Sequence, residues 1–172
     1  PKGIGFLYLK SNQKLKSLIT GGGQEKNLRA GTENIHGIVG LARALEISNS
    51  IMAEKQKRLQ GYKSLMKDLI ESQIPGVAFN GVAEPDKSLY TVLNVSLPPN
   101  PAGEMLLFKL DIDGVCASGG SACSSGASAG SHVLAAIHHP DDRTGVRFSF
   151  GKYTTEEDIR FAVDVLKKVI SE

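Results

Sequence analysis

The sequence predicts a mixed α/β chain in two parts, and three observations carry that expectation. The opening PKGIGFLYLK is a nearly continuous apolar run, the pattern of a strand buried on both faces of a sheet. Apolar residues then recur at helical spacing from Ile35 to Leu69. Beyond Pro75-Gly76 short strands and helices alternate, ending with Val146, Phe148 and Phe150 set between Arg147 and Ser149 at the two-residue period of a half-buried strand.

Taken in order, the opening strand needs neighbours that these 172 residues do not supply, so the chain is expected to be a fragment or processed piece of a longer protein. A Gly-rich polar loop from Gly21, GGGQEKNLRAGTEN, leads to a helix for which Thr32 is the expected N-cap. Ile35, Ile38, Val39, Ala42 and Leu45 form its apolar stripe. Ile51, Met52, Leu59, Tyr62, Leu65, Met66 and Leu69 continue it as one long or kinked helical connection. Pro75-Gly76 interrupts this pattern and sets the expected division into residues 1–70 and 71–172. The second part reads as a compact α+β unit. Strands are expected at Val77–Phe79, in TVLNVSL and at Val115–Ala117, with helices through Glu104–Leu110 and from Ser131 to His139. The last helix starts at a capping box of Thr154 and Glu157 and buries Ile159, Ala162, Val163, Leu166 and Ile170.

Composition narrows the function classes. The net charge is +2, and the basic residues from Lys55 to Lys67 alternate with apolar ones as a solvated helix face does, so no nucleic-acid partner is expected. No apolar run has membrane length. Cys116 and Cys123 do not make a disulfide framework, and a reducing, cytoplasmic setting follows as the expectation. Cys116 follows Val115 in an apolar stretch and reads as structural. Cys123 is different: it sits in ASGGSACSSGASAGS with no large apolar neighbour, in a segment that glycine makes conformationally free. Such a thiol is chemically available.

Other signals are weaker. The Gly3-Gly5 opening lacks the third glycine of a dinucleotide fingerprint, and Gly145 to Gly151-Lys152 has the wrong spacing for a phosphate-binding P-loop. Gly21-Gly22-Gly23 leading to Gly31-Thr32 suits a phosphate at a helix N-terminus and equally an ordinary capped turn. Cys116, Cys123, His132, His138 and His139 match no zinc spacing, so no metal site is expected; His138-His139 before Pro140 reads as a helix end. Arg147 is either part of a solvated sheet face or a guanidinium fork for a carboxylate, and periodicity leaves both open.

Four stretches in collinear order, PKGIGFLYLK, GGGQEKNLRAGTENIHGIVGLARALE, GGSACSSG and GVRFSFGKYTTEED, resemble the C-terminal half of a cysteine desulfurase of the NifS/IscS-like group. These are pyridoxal 5'-phosphate enzymes of the class V aminotransferase family with the fold-type I architecture. The resemblance implies the edge of a large α/β domain, a long connecting helix and a small α+β domain that carries the catalytic loop. It implies that Cys123 is the nucleophile, that Arg147 holds the substrate α-carboxylate, and that Thr32 reaches the cofactor phosphate of the other subunit in a homodimer. The implied reaction turns L-cysteine into L-alanine with a persulfide on Cys123, and the sulfur passes to an iron–sulfur scaffold or another acceptor protein. The cofactor-bearing lysine of the family would lie a few residues before PKG, and Lys2 does not match it. The 172 residues alone are therefore expected to be inactive. Two other readings remain: another class V aminotransferase-like enzyme, and a stand-alone sulfur-relay or scaffold-binding domain using Cys123 without cofactor chemistry.

Overall fold

The computed structural model describes residues 2–81, 87–119 and 131–172. It divides into two compact units, Pro1–Ala53 and Glu54–Glu172. This division falls in the first turn of the second helix rather than near residue 70, because that helix sends Leu59, Met66 and Ile70 into the core of the second unit.

In the first unit the opening run forms no strand. Phe6, Leu7 and Tyr8 are 76%, 71% and 79% exposed, since no strand among the described residues of this unit pairs with them. The Gly-rich loop contains a single tight turn, Gln24–Asn27, in which Glu25, Lys26 and Asn27 all take left-handed φ angles of 47°, 54° and 65°. Helix α1 spans Ile35–Ser50, and its N-cap is Asn34, whose side chain accepts from the Gly37 amide. Thr32 therefore does not cap it. Both residues carry an oxygen, but the Ile35 amide, three residues after Thr32, donates to the Glu33 carbonyl, while the Gly37 amide is met by Asn34 Oδ1 at 3.0 Å. The stripe expected to be core is largely exposed, at Ile35, Ile38, Val39 and Leu45.

The second unit has its own core. Helix α2 (Met52–Gln73) follows α1 after a break at Ile51. Strands β1 (Ala78–Phe79), β2 (Val92–Leu97) and β3 (Thr144–Ser149) form an antiparallel sheet in the order β1-β2-β3. Alternation sends Leu93, Val95 and Leu97 of β2 and Val146 and Phe148 of β3 to one face. There they meet α2, α3 (Leu106–Ile112) and α5 (Glu156–Ser171), with Leu106, Leu110, Val163 and Leu166 wholly buried. Removing such packed side chains leaves cavities, at about 2–5 kcal/mol for Leu to Ala. The capping box of α5 is one residue later than the sequence suggests. Thr155 accepts from the Asp158 amide while the Asp158 carboxylate accepts from the Thr155 amide. Thr154 instead accepts from the Gly151 amide.

Two further expectations are corrected here. The stretch Val115–Ala117 forms no strand; only Ser118 pairs, in an isolated bridge to Arg147. The basic face of α2 is not all solvated, since Lys63 is 5% exposed and donates to Ser88 Oγ at 2.7 Å and to the Leu89 carbonyl at 2.9 Å. Burial pushes its pKa below the ordinary lysine value. The unfolded chain then holds that proton more tightly than the folded one, so folding is favoured more as pH rises toward the ordinary value of 10.5. Urea unfolding midpoints measured at rising alkaline pH should show this increment in the parent protein and lose it in Lys63→Met. An unchanged slope in the variant would mean that Lys63 does not contribute.

Candidate functional site

The sheet face opposite the core is polar, and it carries the candidate site. Ser96 and Asn94 of β2 lie on it with Gly145 and Arg147 of β3, and Asn80 follows β1 at the same end. Arg147 is half-buried there. Its amide donates to the Ser118 carbonyl at 2.6 Å, and the Ser118 amide donates back to the Arg147 carbonyl at 3.1 Å. In antiparallel pairing one residue directs both its backbone groups to the same side. Arg147 and its register partner Asn94 are therefore a non-hydrogen-bonded pair, with side chains in the closer of the two cross-strand spacings.

The guanidinium is anchored at one point. Its Nε donates to Ser118 Oγ at 3.1 Å, and neither Nη nitrogen has a hydrogen bond or ion pair to another described residue. Both outer donors of the fork are left for a planar anion such as a carboxylate. Arg143, four residues earlier, shows the contrast. Its Nε donates to Ser96 Oγ at 2.7 Å, and its Nη2 donates to the Gly76 carbonyl at 2.7 Å and the Ser96 carbonyl at 2.6 Å. That arginine fastens the turn before β1 to β2 and is structural.

Ser118 and Gly119, the last described residues before the cysteine-bearing segment, lie against this face. A Cβ on Gly119 would lie 2.9 Å from Leu107 Cδ1 and 3.2 Å from the Gly145 carbonyl oxygen, so the chain leaving Ser118 passes close to β3 and a larger residue there would have to displace the Leu107 side chain. Cys123 itself lies outside the described residues. On the far side of that segment Ser131 caps the short helix α4 (His132–Ala136), its side chain accepting from the Leu134 amide. The helix stops earlier than expected, in a turn where His138 takes φ of +56°, its amide donating to the Ala135 carbonyl and that of His139 to the Leu134 carbonyl.

The other expected residues lie apart from Arg147. Thr32 is exposed in the first unit, next to Gly31 at φ +102° and just before α1. An exposed hydroxyl ahead of a helix is a group that can donate to a phosphate oxygen. Cys116 is exposed rather than structural, because Val115 turns into the core and its extended neighbour turns out; its Sγ lies 3.7 Å from Asp111 Oδ1. Among the described residues no group of three His, Cys, Asp or Glu side chains could hold a metal, and no helix is long and apolar enough to cross a membrane. Sequence reasoning missed Ser118, Asn80 and Asn94, and read His139 only as a helix end, because their contacts depend on partners distant in sequence rather than on spacing.

The chain belongs to the class V aminotransferase family, whose pattern matches residues 1–161. Over 174 aligned positions it is 41% identical to the cysteine desulfurase IscS of Clostridium botulinum, covering 100% of this chain and 44% of that protein. It is also 41% identical over 176 positions to the putative cysteine desulfurase IscS 1 of Bacillus subtilis, covering 98% of this chain and 46% of the relative. The chain thus spans less than half the length of these curated relatives. A solved NifS-like protein superimposes with a TM-score of 0.76 at 30% identity, covering 94% of this chain and 40% of the other. A NifS-like protein from Rickettsia africae gives 0.74 at 23% identity, a likeness of fold. The mixed α/β architecture expected from the sequence is the architecture of this family.

Proposed function

We propose that this chain supplies the substrate grip and the sulfur-accepting thiol of a full-length cysteine desulfurase that converts L-cysteine to L-alanine. The observation that carries this reading is the half-buried Arg147, anchored through Nε to Ser118 with both Nη nitrogens unpaired among the described residues. Arg147 takes the substrate α-carboxylate in a two-pronged hydrogen bond and so orients the rest of the amino acid. Ser118 precedes Cys123 by five residues, about 18 Å of fully extended chain at most. The thiol is therefore tethered within reach of an amino acid held at Arg147.

Pyridoxal phosphate, on which this family depends, supplies when bound an electron sink at the substrate α-carbon. Thr32 would hold its phosphate, across a homodimer as the family resemblance implies. The Cys123 thiolate attacks the substrate sulfur. A sulfur–sulfur bond forms, the carbon–sulfur bond of cysteine breaks, and the carbon takes up a proton to leave alanine. The persulfide on Cys123 then passes its outer sulfur to an acceptor thiol, in keeping with a reducing, cytoplasmic setting and with iron–sulfur cluster assembly.

The test uses the full-length protein with L-cysteine and no added reductant. A single turnover should yield one alanine per active site and a mass gain of one sulfur atom on the peptide containing Cys123. Keto-acid formation without that mass gain would favour a transaminase. Sulfur uptake from a persulfide donor without any alanine would favour a relay domain.

A further inference from the structure

A chain of side-chain hydrogen bonds runs along the same sheet face as Arg147. Asn80 Nδ2 donates to Asn94 Oδ1 at 2.8 Å, and Asn80 Oδ1 lies 3.0 Å from His139 Nδ1. His139 Nε2 lies 3.2 Å from the Arg143 carbonyl. All three side chains are half-buried. The placement of the Asn80 amide gives the chain its direction, with Oδ1 facing His139 Nδ1 and Nδ2 donating to Asn94, and His139 Nδ1 is the donor this requires. Asn94 must then accept with Oδ1, which turns its own amide nitrogen away from β1. The strand on the other side of β2 is β3, and the cross-strand partner there is Arg147. Asn94 Nδ2 has no other partner among the described residues.

We propose that Asn94 is a second substrate-binding residue: its Nδ2 donates to the same carboxylate that Arg147 grips, with Asn80 and His139 as positioning residues that keep this donor turned toward Arg147. The inference rests on Arg147 binding a carboxylate and adds a residue to that site. Non-hydrogen-bonded partners bring their Cβ atoms to about 4.5–5.5 Å, so two donors from adjacent strands converge on one anion. A His139 ring donating only through Nε2 would reverse both amides and set Asn94 Oδ1 beside the guanidinium, where it would compete with the substrate. The observed chain instead leaves a donor there, which suits a ligand that brings only acceptors.

Calorimetric titration of the full-length protein with L-alanine and with L-alaninamide tests this, because the two differ only in replacing the carboxylate. Asn94→Ala is expected to weaken alanine binding by about 10- to 100-fold, the range of a lost hydrogen bond to a charged group, and to change alaninamide binding by less than about twofold on the same scale. Asn94→Ser, which keeps a small polar side chain on β2, is the second variant should the first unfold. His139→Leu should weaken alanine binding several-fold and spare alaninamide. Equal losses for both ligands, or none, in the Asn94 variants would overturn the inference. Should Arg147→Lys also leave alanine binding unchanged, the carboxylate reading of Arg147 fails with it. A steep loss in Arg147→Lys beside a flat Asn94 series removes Asn94 alone.

Discussion

Full-length protein carrying Cys123→Ser is expected to transfer no sulfur from L-cysteine, a loss of at least about a thousandfold in sulfide release under reducing conditions. A serine hydroxyl is far less acidic than a thiol, and its oxygen is a poor partner for a sulfur electrophile, so no persulfide-like product accumulates. The variant should still bind cysteine, because the proposed grip lies on β3 and not on the substituted residue. Binding retained with turnover lost separates a nucleophile from a structural residue. If Cys123→Ser released sulfide at the parent rate, another thiol would have to accept the sulfur, and exposed Cys116 would be the residue to replace next.

The second large effect is expected at Arg147. Lysine keeps the charge but has one nitrogen head, and it cannot donate to Ser118 Oγ while presenting two parallel donors outward, as the guanidinium does. Arg147→Lys should raise KM for L-cysteine by about 10- to 100-fold, the worth of one charge-assisted hydrogen bond with its geometry, while kcat falls less. The control is Arg143→Lys, in the same segment and equally half-buried. There the loss is of bonds to Ser96 and the Gly76 carbonyl, so thermal stability should drop with KM little changed. Reversed results would exchange the two roles.

What could be read from the sequence follows from where each residue finds its partners. TVLNVSL, the alternation around Phe148 and the last helix were legible because their apolar faces pack on one another within the second unit. The same apolar logic applied to Phe6–Tyr8 and to the α1 stripe named a core that the described residues of the first unit do not build, so most of those side chains are exposed. Both displaced caps, Thr32 against Asn34 and Thr154 against Thr155, involve neighbouring side chains that carry an oxygen. Only the backbone angles decide which oxygen reaches the free amide. Cys123 and Arg147 stood out by residue type and setting. Lys63, Ser118 and the Asn80–Asn94–His139 chain did not, since a hydrogen bond between residues 14 to 59 positions apart leaves no local periodicity.

The bridge between Ser118 and Arg147 also bears on how this domain avoids its own copies. β3 is the last strand of its sheet, and the residues that direct backbone groups outward from it are Gly145, Arg147 and Ser149, the middle one being taken on both sides by Ser118. An open strand margin of that kind invites a foreign strand to add to it and start a fibril. The chain that leads toward Cys123 thus also occupies the centre of the margin that β3 presents. A protease cut between Gly119 and Ser131 would be expected to do more than interrupt the proposed sulfur transfer: by loosening Ser118 it would open the margin of β3 to aggregation.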